Sequence, residues 1–189
     1  VDYSLRRPVA HTSRPEPTVG ALGAAFWTQV AAWCAAQNAG ADRAFDQVLP
    51  SLRNINTTSD GLYDRLEMTI GFRLPPRLAP AEVEAAVAAL AEPDAAWRSY
   101  GAEVAYRGEK NNALVRTLLA AIRAEGAQPG FVLKGGTSDM NVVGARWTCP
   151  IVAYGPGDSA LDHTPHERLS LYEYAQAVHV LRRTIGTVR

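Results

Sequence analysis

The chain has 189 residues, with 19 basic and 19 acidic side chains, a formal net charge of zero, and 47% hydrophobic residues. That balance excludes a nucleic-acid or anionic-membrane binder working through bulk charge, and the apolar content suits the core of one large domain or two small ones. The longest apolar stretches are broken by Gln, Asn or Gly, so no bilayer span is expected, nor a signal peptide at the start.

The chain opens with "VDYSLRRPVAH" (1–11), which reads as a strand with Pro8 marking an edge or its end. Val1 stands inside that strand with no Met before it, so the chain is expected to be a piece of a longer protein. From Thr18 to about Asn38, Val19, Leu22, Phe26, Val30 and Trp33 recur at spacings of three and four, which predicts an amphipathic helix closed by Gly40. "QVLPSLRNINT" (47–57) follows as a second strand. In "RLEMTIGFRL" (65–74), Leu66, Met68, Ile70, Phe72 and Leu74 alternate with Arg65, Glu67, Thr69, Gly71 and Arg73, a period of two with one buried and one wet face. The turn signal "TSDG" (58–61) predicts that these two strands form a hairpin. Pro80 opens a helix carrying Val83, Val87 and Leu90, and "GAEVAYR" (101–107) is expected as the last strand of this half. The order βαββαβ predicts a ferredoxin-like sandwich over residues 1–107, with two helices on one face of an antiparallel sheet.

Beyond Arg107 the pattern changes. A helix carries Leu114, Val115, Leu118, Leu119 and Ile122, followed by the apolar run "FVL" (131–133) and by "GGTSD" (135–139) opening a short helix. The run "CPIVAY" (149–154) reads as a buried strand, and a final helix starts at Ser170, where Ser170 and Glu173 have capping-box spacing. Leu171, Ala175, Val178, Leu181 and Ile185 are expected as its buried stripe. Helices alternating with short apolar strands predict an α/β arrangement over 108–189, but two strands do not make a stable sheet. Cys34 and Cys149 both read as buried small residues of a reducing compartment, neither a disulfide nor a metal pair.

The chemistry-bearing residues lie at element ends. "GPGDSALDHTPHE" (155–167) follows the expected buried strand, so His163 would project from the carboxyl end of a strand, where open α/β sheets place ligands. A lone loop His is ordinarily solvated; His166 is a co-ligand by spacing alone, and nothing in the chain supplies the rest of a zinc site. His179, Glu82 and Glu84 read as helix-face residues. "KGGTSDMN" (134–141) suits either an anion held at a helix start or simply a capped helix after a tight turn. "AHTSRPE" (10–16) is equally open, since Thr12 or Ser13 before a helix suffices as a cap.

Taken in order, "AHTSRPE", the hairpin ending "GFRLPP", "KGGTSDMN" and "CPIVAYGPGDSALDHTPHE" with its Tyr-rich helix resemble the zinc-dependent aminoacylase and carboxypeptidase family. That family includes acetylornithine deacetylase and succinyl-diaminopimelate desuccinylase. "GTSDMN" with "YGPGDSALDHTPHE" is similar to the branch that releases lysine or ornithine from an amino-group carrier protein, also called acetyl-lysine deacetylase. The resemblance spans nearly the whole chain, and the last loop is its most specific part. It implies an α/β protein with an α+β lid: residues 1–107 a ferredoxin-like dimerisation lid, and 108–189 the C-terminal part of a di-zinc hydrolase domain. The intact enzyme would be a cytoplasmic homodimer binding two zinc ions, with cobalt an admissible substitute, and would act on a small-molecule or carrier-linked amino acid. By the same resemblance His163 is a metal ligand, and His11 crosses the dimer to stabilise the oxyanion; that Asp162 orients His163 is an expectation from spacing alone. Arg73 pairs with the substrate carboxylate, and Gly136 and Thr137 contact the substrate. The chain departs from many relatives at "TSDGLYDR" (58–65), where they carry an "N-x-I-P" turn. A non-catalytic dimerisation module is the alternative, and a small-molecule regulator on the βαββαβ half a third.

Overall fold

A computed structural model describes residues 1–11, 13 and 16–187. The chain divides into two compact units, one made of Val1–Ala105 with Lys134–Thr137, the other of Tyr106–Leu133 with Ser138–Arg189.

The first unit is built on a four-stranded antiparallel sheet. Its elements are β1 (Asp2–Pro8), α1 (Val19–Gln37), β2 (Leu49–Ser59), β3 (Tyr63–Arg73), α2 (Pro80–Leu90) and β4 (Ala96–Arg98), and the strand order is β2-β3-β1-β4. The alternation read from the sequence holds: Leu66, Met68 and Ile70 of β3 and Tyr3 and Leu5 of β1 point into the core, where Phe26, Val30 and Cys34 of α1 and Val83 and Val87 of α2 meet them. Tyr3 and Phe26 stack with ring centroids 4.1 Å apart. Each such buried side chain contributes roughly 1.5–3 kcal/mol relative to exposure, so this layer supplies most of the unit's stability. α1 is long and apolar enough to cross a membrane by length and composition alone, a test that the core helix of a globular unit also passes. Its face of Val19, Gly23, Phe26, Val30 and Cys34 is instead packed on the sheet. Gly23 permits the close approach, because a β-carbon there would lie 2.6 Å from Leu66 Cδ2.

The β2–β3 hairpin turns where "TSDG" predicts it. Asp60 Oδ1 accepts the amides of Leu62 (2.9 Å) and Tyr63 (2.7 Å), and Gly61 takes φ 87°, which suits a residue without a β-carbon. In β2 the pairing slips between Leu52 and Asn54, leaving Arg53 as an extra residue over Gly71. Arg7 closes the far end of β1 on the loop after α2, bonding Asp94 at 2.8 Å and Glu92 at 2.9 Å.

The last strand lies earlier than the sequence predicts, at Ala96–Arg98 and not at 101–107. The register explains this: Arg98 falls opposite Asp2 and bonds its carboxylate at 2.9 Å, and Trp97 packs against the core, whereas the expected strand begins on Gly101 with φ 60°.

In the second unit α3 (Ala113–Ala124) packs on α5 (Leu171–Thr187), and α4 (Asp139–Gly144) is a short helix between them in sequence. The expected start of α5 holds in one of the two bonds of a capping box, Ser170 Oγ accepting the Glu173 amide at 3.4 Å; α3 is capped by Asn112, whose Oδ1 accepts the Val115 amide at 2.9 Å. Two sequence expectations fail here. Residues 131–133 and 149–154 form no strand, and among the described residues no strand pairs with them; Cys149 is exposed, not buried. Cys34, by contrast, is buried as expected, and burial pushes its thiol up to about 11. The stripe of α5 that packs on α3 is Ala177, Val180 and Thr184, while Leu171, Val178, Leu181 and Ile185 are exposed. The helix is apolar on two faces, and periodicity alone picks out the larger residues.

Candidate functional site

Two of the sequence candidates meet in the first unit. Arg73 is the last residue of β3, paired with Leu49 and exposed on the wet side of the strand. Its guanidinium lies along the backbone of the "KGG" loop: a β-carbon on Gly135 would be 2.8 Å from Nη1 and 3.2 Å from Cδ. Gly135 therefore has steric room for Arg73 and for no side chain of its own. The sequence singled out Gly136 and Thr137, yet the close approach falls on Gly135; around Gly136 the space is open, and Thr137 is exposed. The next helix starts as a capped turn, with the Ser138 amide donating to Asn141 Oδ1 at 2.9 Å, which takes up a donor that an anion would otherwise use.

His11 lies exposed beyond the end of β1. Its Nδ1 accepts the Ser13 amide at 3.3 Å and stands 2.7 Å from Ser13 Oγ. An Nδ1 that accepts places the proton of the neutral ring on Nε2, so the outward nitrogen is a hydrogen-bond donor. Ser13 thus orients His11 and does not cap α1; Thr18 is the cap, its Oγ1 accepting the Ala21 amide at 3.2 Å. Thr12, Arg14 and Pro15 of the same motif lie outside the described residues.

His163 belongs to the second unit, in an exposed loop of successive tight turns. Asp158 Oδ1 accepts the Ala160 amide at 2.9 Å, Thr164 Oγ1 donates to the Leu161 carbonyl at 2.8 Å, and the His163 amide donates to Glu167 Oε2 at 2.9 Å. Sequence reasoning passed over Glu167, although its spacing of four from His163 in "HTPHE" is the signal that finds it. His166 is exposed, with its amide on Thr164 Oγ1 at 3.3 Å. His179 lies on the exposed side of α5, beside a shallow hollow of about 190 Å³ lined also by Glu125, Tyr172 and Gln176.

His163 offers one donor of the kind zinc takes. Among the described residues no group of three or more His, Cys, Asp or Glu side chains is placed to hold a metal ion, so these residues do not complete a metal site by themselves.

Comparison with known proteins adds the following. The family model described as "Peptidase family M20/M25/M40" matches residues 9–187. The chain is 49% identical over 159 residues to a "[LysW]-lysine hydrolase" of Deinococcus radiodurans, an alignment that covers 82% of this chain and 44% of the relative. It is 42% identical over 115 residues to a "Putative [LysW]-lysine/[LysW]-ornithine hydrolase" of Thermococcus kodakarensis, covering 61% of this chain and 30% of that protein. The chain thus spans less than half the length of these relatives. Among solved structures, an M20 family metallo-carboxypeptidase from Sulfolobus solfataricus superposes with a TM-score of 0.59 at 14% identity, covering 97% of this chain and 57% of that one, a likeness of fold.

Proposed function

The chain belongs to peptidase family M20/M25/M40, and on that footing we propose that it forms part of a cytoplasmic hydrolase of linear amides in amino-acid biosynthesis. The intact enzyme releases lysine or ornithine from an N-acyl or carrier-protein-bound form. The observation that carries this reading is the 49% identity to a "[LysW]-lysine hydrolase" over 82% of the chain. In this reading residues 1–107 are a ferredoxin-like lid through which two subunits dimerise, supported by the β2-β3-β1-β4 order of its sheet, and 108–189 are the C-terminal part of the catalytic domain.

The roles follow from the chemistry of each group. Arg73, held against a loop backbone, binds a substrate carboxylate through charge-assisted hydrogen bonds, with Gly136 and Thr137 beside the substrate chain. His11, donating from Nε2, meets the carbonyl oxygen of a partner subunit's substrate as negative charge develops on it. His163 contributes one imidazole to a zinc centre of the intact enzyme, two ions in all. The described residues leave that centre incomplete by themselves.

The lack of a donor cluster among those residues favours a second reading for the 189-residue chain on its own, a dimerising unit without activity. One experiment addresses both. The full-length protein, supplied with zinc, is assayed for release of lysine and ornithine from carrier-linked and N-acyl substrates, alongside the 189-residue chain. Release by the full-length protein alone is the expected result. No release from any of these amides by a zinc-loaded full-length protein would overturn the assignment.

A further inference from the structure

We infer that Glu167 is the positioning residue for His163, an inference that takes its functional meaning from the reading of His163 as a metal ligand but stands on its own geometry. Among the described residues His163 is the one non-glycine with a positive φ, 63°. In that left-handed region the β-carbon crowds the neighbouring carbonyl; His tolerates it better than most side chains do, but at a cost that a hydrogen bond holding the conformation offsets. The holder is visible in the chain. The His163 amide donates to Glu167 Oε2 at 2.9 Å, a bond that reaches across Pro165 and closes a ring of five residues.

The segment around it is already tied. The Leu161 amide donates to the Asp158 carbonyl at 3.0 Å, the Thr164 amide to the Leu161 carbonyl at 3.0 Å, and the Glu167 amide to the Thr164 carbonyl at 3.1 Å. The Leu161–Thr164 bond spans Asp162 and His163 and puts His163 at the second central position of a turn; the other two bonds fix the chain before and after it, and the bond to Glu167 adds to that turn. A left-handed residue sends its β-carbon in a different direction from a right-handed one, so the amide bond to Glu167 also sets where the imidazole goes. Glu167 acts through His163 and touches no reacting atom. Its carboxylate is exposed and competes with water for the amide, so its effect is a bias in population and not an absolute lock.

The test uses the full-length protein with Glu167→Ala and Glu167→Gln, the second keeping a carbonyl acceptor of the same reach. Two quantities are read: hydrogen exchange of the His163 amide, and zinc affinity by chelator competition. In Glu167→Ala the amide should exchange about tenfold faster or more, and zinc should bind about 10–100-fold more weakly, while Glu167→Gln stays within a few-fold of wild type in both. Unchanged amide exchange in Glu167→Ala overturns the proposal. So does faster exchange with full zinc affinity, provided His163→Ala loses zinc, for then the turn is held but the imidazole is not steered. If His163→Ala keeps its zinc, the ligand reading of His163 is what fails, and the amide exchange alone decides the role of Glu167.

Discussion

The guanidinium of Arg73 occupies the space that a side chain at Gly135 would fill, with Nη1 2.8 Å from the ideal β-carbon position. A strand end and a loop sixty residues on are thereby matched, one by what it carries and the other by what it lacks. Gly135→Ala should leave the fold intact, since the obstructing atoms are the far end of a flexible side chain, but it should push Arg73 aside. A charge-assisted hydrogen bond is worth about 1.5–3 kcal/mol, which is roughly 10–100-fold in binding. Arg73→Ala in the full-length enzyme should therefore raise KM by about that factor, and Gly135→Ala by a smaller factor with the thermal midpoint unchanged. A Gly135→Ala enzyme with wild-type KM would show that the Arg73 position beside the loop does not matter to the substrate.

Assignment of His11 to the partner's site makes a separate prediction. If the full-length protein dimerises as proposed, His11→Ala and His163→Ala should each be nearly inactive. If His11 serves the other subunit while His163 serves its own, a mixed dimer holds one site with both defects and one with neither. Random exchange at equal amounts makes about half the dimers mixed, so roughly a quarter of all sites recover. Parental activity after demonstrated exchange rules out the crossing role.

Gly23 and Gly20, one helical turn apart on α1, should respond to alanine with opposite signs. At Gly23 the new β-carbon meets Leu66 Cδ2 at 2.6 Å, and Leu66 is fully buried with nowhere to swing. Overpacking costs about 1–3 kcal/mol against a gain of about 1 kcal/mol in helix propensity, so Gly23→Ala should destabilise by about 1 kcal/mol. At Gly20 the nearest atom is Thr57 Cγ2 at 3.5 Å, an ordinary contact, and alanine should stabilise by up to about 1 kcal/mol. Urea unfolding followed by tryptophan fluorescence gives both values.

Acid should weaken the first unit. The Tyr63 and Leu62 amides hold the Asp60 carboxyl below its ordinary value of 3.8, and hydrogen bonds from Arg98 and from Arg7 do the same for Asp2 and Asp94. A folded-state value below the unfolded one means that the stabilisation is complete above about pH 5 and is lost as pH falls through the depressed values. The unfolding midpoint should be level from about pH 7 to 5 and then drop, and Asp60→Ala should lower the neutral plateau while making the acid drop shallower. An acid drop as steep in Asp60→Ala as in wild type would remove Asp60 from this account.

Much of the first unit is legible in the sequence because its signals are local. Leu66, Met68 and Ile70 alternate strictly, Asp60–Gly61 turn the chain, and α1 is periodic over its whole length. The misplaced fourth strand depends on a partner 96 residues away, through Asp2 opposite Arg98, and no local pattern reports that. In the second unit the runs at 131–133 and 149–154 have the composition of strands, but a strand is defined by a partner, and among the described residues they have none. The site was legible as motifs and not as contacts. "KGG" marked the loop without saying which glycine faces Arg73, and "HTPHE" marked His163 without disclosing that Glu167 holds its amide.

Arg53 has a meaning for β2 that lies in parity. Leu52 and Ile55 stand an odd number of residues apart, so a regular strand cannot put both on one face; yet Leu52 pairs with Ile70 and Ile55 with Met68, both core residues of β3. The unpaired residue between them absorbs the half-step. A chain shortened by that single residue would carry Leu52, Asn54 and Ile55 opposite Ile70, Thr69 and Met68 without interruption, every side chain on the face it has now. An extra residue inserted anywhere else in the strand would turn all that follows inside out. Within β2, therefore, the place where a residue can be lost without reversing a face is the one where the ladder already carries an unpaired residue.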